Sequence, residues 1–438
     1  MSDGAARENE RWPVVWKVSR FELVKLLAQW PTRILPLVCV LAPLAFAGIL
    51  RLQSGVPQDT LFGIWVHSSG FAVPLVTLSF AGAWGLPIIA GIVGGDMFSS
   101  EDRLDTWKTL LTRSCTRGEI FLGKTAAAFA YTLAMVVLLG AASIVAGVIA
   151  TGTQPLVGLT GQTMGSGQAA ALTLASWGIC LLPALAFTAL ALLISAVTRS
   201  SAAGMLGPLV AALAMQLLAL VGSGDVVRAV LLSTALDAWN GLFAAPAYVR
   251  PIEWGALISV VYFAACLAGV WRNLGRRDVA GTSSPEQGWG RPLRVLALAV
   301  AVIAVLGAIS DVGPSSITAN ELEKSISRTF NNLTVLQQKD LGRTVPSGAH
   351  LDLLTVCTRQ GVLQTKRGPG ADWLCAIEIP KLFHDVTDVS YDVDVKPNGC
   401  YTAAGAPSFI GPLTLRRRNG PPIVNPLFRF EGCFEVAP

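Results

Sequence analysis

The sequence predicts a polytopic α-helical membrane protein of about seven spans, N-terminus inside, with a small disulfide-stapled α+β domain outside at its C-terminus. Three observations lead there. Of 438 residues, 52% are hydrophobic and only 14% charged, well below the roughly 25% charged residues of soluble domains. Seven stretches hold no Asp, Glu, Lys or Arg: 34–50, 71–95, 125–150, 169–197, 203–223, 255–271 and 295–310. Four of the eight cysteines, Cys357, Cys375, Cys400 and Cys433, lie beyond the last of them. The 43 glycines and 25 prolines are scattered through apolar runs, which excludes collagen and low-complexity disorder.

Each charge-free stretch is near or above the ~17–25 residues that cross a bilayer as a helix. The seventh, 295–310, is the marginal one. Basic residues near span ends are retained in the cytoplasm, so the alternate loops give the orientation. One set of loops carries 17 Lys and Arg and the other only Arg51, Arg228 and Arg250. The N-terminus is therefore expected inside and the last 128 residues outside. The net charge of +5 belongs wholly to the apolar part, since residues 311–438 hold 13 basic and 13 acidic side chains. No arginine-rich helix or aromatic stacking platform accompanies it, so no nucleic-acid partner is expected.

The expected organisation has four parts. Residues 1–33 form a cytoplasmic segment in which Val15, Phe21, Leu23, Leu26, Leu27 and Trp30 lie among Lys17, Arg20 and Lys25, an amphipathic helix on the membrane surface. Residues 34–272 hold six spans. Residues 273–310 are a cytoplasmic linker and the seventh span, and residues 311–438 the external domain. There Leu322, Ile326, Phe330 and Leu333 recur at helical spacing, and strand-like runs follow at 351–358, 373–379, 389–395 and 427–436. Pro397-Asn398-Gly399 signals a hairpin. An even set of cysteines on the oxidising side predicts two disulfides, and four cysteines allow three pairings. Cys357 with Cys375 and Cys400 with Cys433 is the pairing expected, because each couple lies in neighbouring strand-like runs. Spacings of 18, 25 and 33 contain no C-x-x-C knuckle, so no metal is expected.

The loop after the second stretch carries the most information. Ser99 and Asp102 form a capping pair, and Leu104, Trp107, Leu110 and Leu111 make an apolar stripe, predicting a helix over 99–113. Glu101, Thr106, Leu110, Leu111, Thr112 and Arg113, followed by Arg117, Leu122, Gly123 and Lys124, resemble the corresponding loop in the permease subunits of type 2 ATP-binding-cassette (ABC) exporters. Asp105 stands where that family often has Gly, and Ser114 where it often has Pro. The resemblance covers roughly residues 11–272 and leaves out the seventh span and the tail.

The resemblance implies that 99–113 is a coupling helix received by a separate nucleotide-binding ATPase subunit. Trp107 and Leu111 would be the apolar anchors, and Glu101, Asp105, Lys108 and Arg113 the polar rim. The chain would be a non-enzymatic transport subunit in the plasma membrane. It would pair with a second copy or a related permease, and ATP and Mg would be bound by the ATPase partner. Gly91 with Gly95 and Gly204 with Gly207 permit close helix packing, compatible with such a pairing. Two apolar runs between the fifth and sixth stretches, 226–236 and 239–248, resemble the outer re-entrant helices of that family, with Trp239, Phe243 and Tyr248 at the extracellular gate.

Gly118 to Thr125 satisfies the phosphate-loop pattern G-x-x-x-x-G-K-T. No strand precedes it, and Ile120, Phe121 and Leu122 suit a helix entering the membrane, so ATP is not expected there. No charge-free stretch offers the ionisable relay of a proton-coupled carrier. The expected function is outward movement of an amphipathic or lipid-like substrate by an ATP-driven exporter. The alternative is a membrane-anchored envelope receptor or assembly factor whose external domain is the working part.

Overall fold

The computed structural model describes residues 2–52, 60–107, 116–221, 228, 230–276, 316–346, 351–359, 362–363, 367–378, 388–417 and 423–436, with side chains from residue 14. The expected seventh span, 295–310, and the linker before it lie outside the described residues. Among the described residues six helical stretches are long and apolar enough to cross a membrane.

An N-terminal helix α1 (Ser2–Ala28) precedes them. The spans are α2 (Trp30–Leu52), α3 (Ala72–Gly94), α5 (Arg117–Thr151), α6 (Ser166–Ile179) continued by α7 (Leu181–Thr198), α8 (Ser201–Val221) and α9 (Arg250–Gly275). A five-residue helix α4 (Ser99–Arg103) follows the second span. At 35 residues α5 is roughly 50 Å long and overshoots the hydrocarbon. Its start is set by a reciprocal capping box between Thr116 and Glu119.

Two spans depart from regular helix, and each break has a local cause. Ala81–Gly85 widens into a π turn inside α3, and Gln216 of α8 donates to the Ala83 carbonyl at 3.1 Å. That satisfies an acceptor the widened turn exposes in an apolar setting. The fourth span breaks at Cys180, three residues before Pro183 in the first turn of α7.

The paired glycines pack within the chain. A Cβ on Gly91 would collide with the Met205 carbonyl and one on Gly95 with Gly204, while one on Gly94 would lie 2.7 Å from the Ala191 Cβ. These glycines let α3 approach α8 and α7. The close packing expected at Gly91 and Gly95 is made with the molecule's own fifth span.

Between the fifth and sixth spans, Leu232–Phe243 forms one buried 3-10 segment that takes in parts of both runs expected as short helices. Residues 226, 227 and 229 of the first run lie outside the described residues, and Arg228 and Val230 are helical. The 3-10 segment covers one end of the bundle with the loop 60–71 and a small hairpin of β1 (Leu156–Val157) and β2 (Thr163–Met164).

The C-terminal region is a six-stranded antiparallel sheet with one helix, α10 (Ala319–Asp340), against its face. In spatial order the strands are β10 (Arg429–Cys433), β7 (Cys400–Gly405), β6 (Asp388–Val395), β5 (Gly370–Glu378), β3 (Leu354–Arg359) and β4 (Val362–Leu363), while β8 (Thr414–Leu415) and β9 (Ile423–Val424) form a separate antiparallel pair. Leu322, Ile326, Phe330 and Leu333 are all buried, with Trp373, Tyr391 and Phe430 opposite. Both expected disulfides are present, Cys357–Cys375 and Cys400–Cys433. Each bridges residues in direct register on adjacent strands. Strand β7 had no place among the expected strands. The turn before it is the expected one, with Gly399 at φ 77°.

Candidate functional site

At the bundle end away from this domain, four charged side chains from three parts of the chain share one buried cluster. Lys124, fully buried in the first turns of α5, donates to Glu22 of α1 at 2.7 Å, to Glu101 of α4 at 3.0 Å and to the Met97 carbonyl at 3.0 Å. Lys25 of α1 reaches the same Glu101 oxygen at 2.5 Å. Thr106 donates to the other oxygen of Glu101.

Burial by itself pushes the Glu101 carboxyl up. The neighbouring Lys124 and the bonds from Lys25 and Thr106 outweigh it and hold the group down at about 2. All the partners of this buried charge are therefore supplied by the molecule itself.

The surroundings extend the tie to two further spans. Ser99 donates its backbone N–H to Ser195 of α7 at 3.1 Å and shares a hydroxyl contact with Ser201 of α8. Asp96 accepts from Ser201, from Gln29 at 3.4 Å, and pairs with Arg103 at 3.6 Å. On the far side, Gly123 lets α1 lie against α5, with Ser19 bonding the Gly123 carbonyl at 3.1 Å and Val18 in the space of a Cβ. The glycine and lysine of the apparent phosphate loop thus serve helix docking and charge burial.

The expected helix 99–113 is corrected. It is interrupted after Arg103, where Asp105 takes a left-handed conformation with φ 50°, which Asp tolerates better than most residues. Trp107 is helical again, and residues 108–113 lie outside the described residues. Ser99 is not its cap; the Ser99 hydroxyl bonds back to the Gly95 carbonyl. Glu101, expected at a polar rim, is 4% exposed and faces inward. Asp105 and Leu104 are exposed, and Trp107 is partly buried with its indole N–H on Asp102 at 3.0 Å. Lys108, Leu111 and Arg113 lie outside the described residues.

Trp239 and Phe243 are fully buried at the opposite end. They form an aromatic group with Phe62, whose ring is 4.9 Å from that of Phe243 and 6.4 Å from that of Trp239. Tyr248 is partly exposed and its backbone N–H bonds the Gly241 carbonyl at 2.9 Å.

The C-terminal domain sits on this end. Glu431 accepts from the Phe62 backbone N–H, and Asn332 donates to the Thr160 carbonyl at 2.6 Å. Cys400 and Cys433 belong to the bundle's apolar cluster, while Val157 belongs to the domain's.

Sequence reasoning passed over Glu22, Lys25, Asp96 and Glu431. The one available signal was that Glu22 and Lys25 stand one helical turn apart within an amphipathic stretch.

Among the described residues, six helices long and apolar enough to cross a membrane are joined to a β-rich region with two disulfides. The chain belongs to the family described as proteins of unknown function DUF2705, whose model matches residues 58–280. That match takes in five of the six candidate spans, together with Glu101, Lys124, Phe62, Trp239 and Phe243, and leaves out α1 and the C-terminal domain. No curated protein matches the chain.

Proposed function

We propose that the chain is the permease subunit of an ATP-driven exporter of the type 2 ABC kind. It would pair with a second half-permease and be energised by a separate nucleotide-binding subunit. In this topology the N-terminus and the Glu101 cluster face the cytoplasm of a plasma membrane, and the disulfide domain faces the oxidising outer side. The substrate is amphipathic or lipid-like.

The observation that carries the proposal is the charge-locked loop. Glu101 is fastened to α1 through Lys25 and to α5 through Lys124, and its neighbours fasten α7 and α8. A push on the loop after Arg103 is therefore delivered to several spans at once. Asp105 adds support, since its left-handed backbone is the conformation that glycine, frequent there in the exporter loops it resembles, adopts freely.

The test is a photo-crosslinking residue in place of Trp107, in native membranes, with adducts identified by mass spectrometry. An adduct with a nucleotide-binding ATPase is expected. Adducts with lipid alone, at good labelling yield, overturn the proposal and favour a scaffold for an external receptor domain. In the assembled complex Trp107→Ala is expected to lower substrate-stimulated ATP turnover with expression unchanged.

A further inference from the structure

Where the C-terminal domain meets the bundle, a cavity of about 480 Å³ opens between them. Its size lies within the range of small-molecule sites. The bundle supplies Trp65 and Ser68 from the first loop, and Val157, Thr163 and Met164 from the β1–β2 hairpin and its surroundings. The domain supplies Leu336 and Asp340 from the last turns of α10. The wall is thus mostly apolar, with one aromatic face and one carboxylate. The hairpin leads directly into α6, so the cavity lies at the level where a span leaves the hydrocarbon.

Asp340 is out of place by the rules of helix ends. It sits in the final turn of α10, where the helix dipole makes an acid unfavourable even though the Gln337, Gln338 and Lys339 carbonyls accept from the Leu341, Arg343 and Gly342 N–H groups. Burial raises its pKa, against the opposing pull of Arg417. A residue that breaks a local rule in this way marks a position kept for another purpose. The Asp340 carboxylate and the Trp65 side chain line the same cavity, an anionic partner and an aromatic group of the kinds that attract an ammonium head.

We propose that this seam is a binding site for an amphiphile with a cationic ammonium head, its head between Asp340 and Trp65 and its tail along Val157, Met164 and Leu336. The site stands on the seam geometry and does not depend on the exporter proposal. An aminolipid of the membrane and a transient cationic amphiphile share this chemistry. Native mass spectrometry separates them, the first co-purifying with the protein and the second absent until added.

The test uses the full chain in a neutral maltoside detergent and a diazirine-bearing dodecyltrimethylammonium as photoprobe. Labelling of lipid-facing spans in the same molecule serves as reference. Expected is labelling within residues 65–68, 155–165 or 336–340 that dodecyltrimethylammonium competes away and dodecyl sulfate does not. Asp340→Asn should lower it at least about fivefold, the scale of losing a charged hydrogen-bond partner at a partly exposed site. Arg417→Gln, which removes the competing cation, should raise it.

Should Asp340→Asn fail to fold, Thr163→Trp, which fills the cavity from the bundle side, should abolish the labelling with the carboxylate still present. Labelling confined to the lipid-facing spans, or seam labelling indifferent to these substitutions, overturns the proposal.

Discussion

Glu431 on β10 accepts a hydrogen bond from the backbone N–H of Phe62, a residue 369 positions earlier in the loop after the first span. Phe62 holds a left-handed backbone with φ 64°, unusual for an aromatic residue. Its ring packs on Trp239 and Phe243 while its N–H meets the carboxyl of the docked domain. One residue therefore joins the aromatic cover of the bundle to the C-terminal domain.

Burial pushes the Glu431 carboxyl up from 4.5 to about 7, against the pull of the Phe62 and Gly63 N–H groups, Lys396 and Arg429. A carboxyl whose pKa is higher when docked favours docking while protonated. The contact is thus strongest below about 4.5 and is lost as pH rises through about 7. Hydrogen-exchange protection of residues 60–66, corrected for intrinsic rates, should fall at least about tenfold between pH 5 and pH 8. Glu431→Gln, which stays neutral and keeps an acceptor for Phe62, should abolish that dependence. A flat profile in the unaltered protein would refute the assignment.

The cluster at the other end has the opposite pH sense. Glu101 is held at about 2, so its contribution is present above the ordinary carboxylate range and fades as pH falls toward 2. Lys124 is the member without solvent access. Lys124→Met leaves Glu22 and Glu101 facing each other in a buried site and should cost about 3–5 kcal/mol. Lys25→Met removes a quarter-exposed partner and should cost about 1 kcal/mol or less. Thermal unfolding of the detergent-solubilised protein measures both. Equal losses for the two lysines would contradict the structure.

How much of this was legible in the sequence depended on the distance between partners. The charge-free runs 34–50 through 255–271 lie in helices long and apolar enough to cross a membrane, and the stripe Leu322, Ile326, Phe330 and Leu333 became the buried face of α10, because the pattern within one element reports its own environment. The disulfides followed from neighbouring strands. Lys124, by contrast, read as part of a phosphate-loop pattern, since its partner Glu22 is 102 residues away and no local pattern links them. Strand β7 was missed because Thr402-Ala403-Ala404-Gly405 is poor in branched and aromatic residues. It is a strand because β6 and β10 pair with it on both sides. The break at residues 104–106 was not legible because a single positive φ at Asp105 interrupts an apolar stripe that is continuous in the sequence.

The glycines of α3 give a prediction about assembly. A Cβ at Gly94 would stand 2.7 Å from the Ala191 Cβ and 3.1 Å from the Thr188 carbonyl, closer than packed atoms tolerate. Gly94→Val should therefore destabilise the folded chain itself, by about 1–3 kcal/mol as overpacking does. The midpoint should not depend on protein concentration. A loss that vanishes on dilution would place the glycine in a contact between copies instead.

The two disulfides should differ in what their removal exposes. They close loops of similar length, with separations of 18 and 33 residues, so chain entropy assigns each about 3 kcal/mol of domain stability. Their surroundings are not alike. Cys357 and Cys375 are buried inside the domain with Trp373 and Tyr391, whereas Cys400 and Cys433 pack into the apolar cluster of the bundle that holds Phe62, Trp239 and Phe243. Replacing Cys357 and Cys375 by Ala should lower the domain's melting temperature yet leave the loop 60–66 protected from exchange below the transition. Replacing Cys400 and Cys433 by Ala should lower it to a similar degree and also unprotect that loop, because the deleted sulfurs lie in the seam that holds the domain on the bundle. If both pairs leave the loop equally protected, the Cys400–Cys433 bridge staples the domain alone, and docking rests on Glu431 and Asn332.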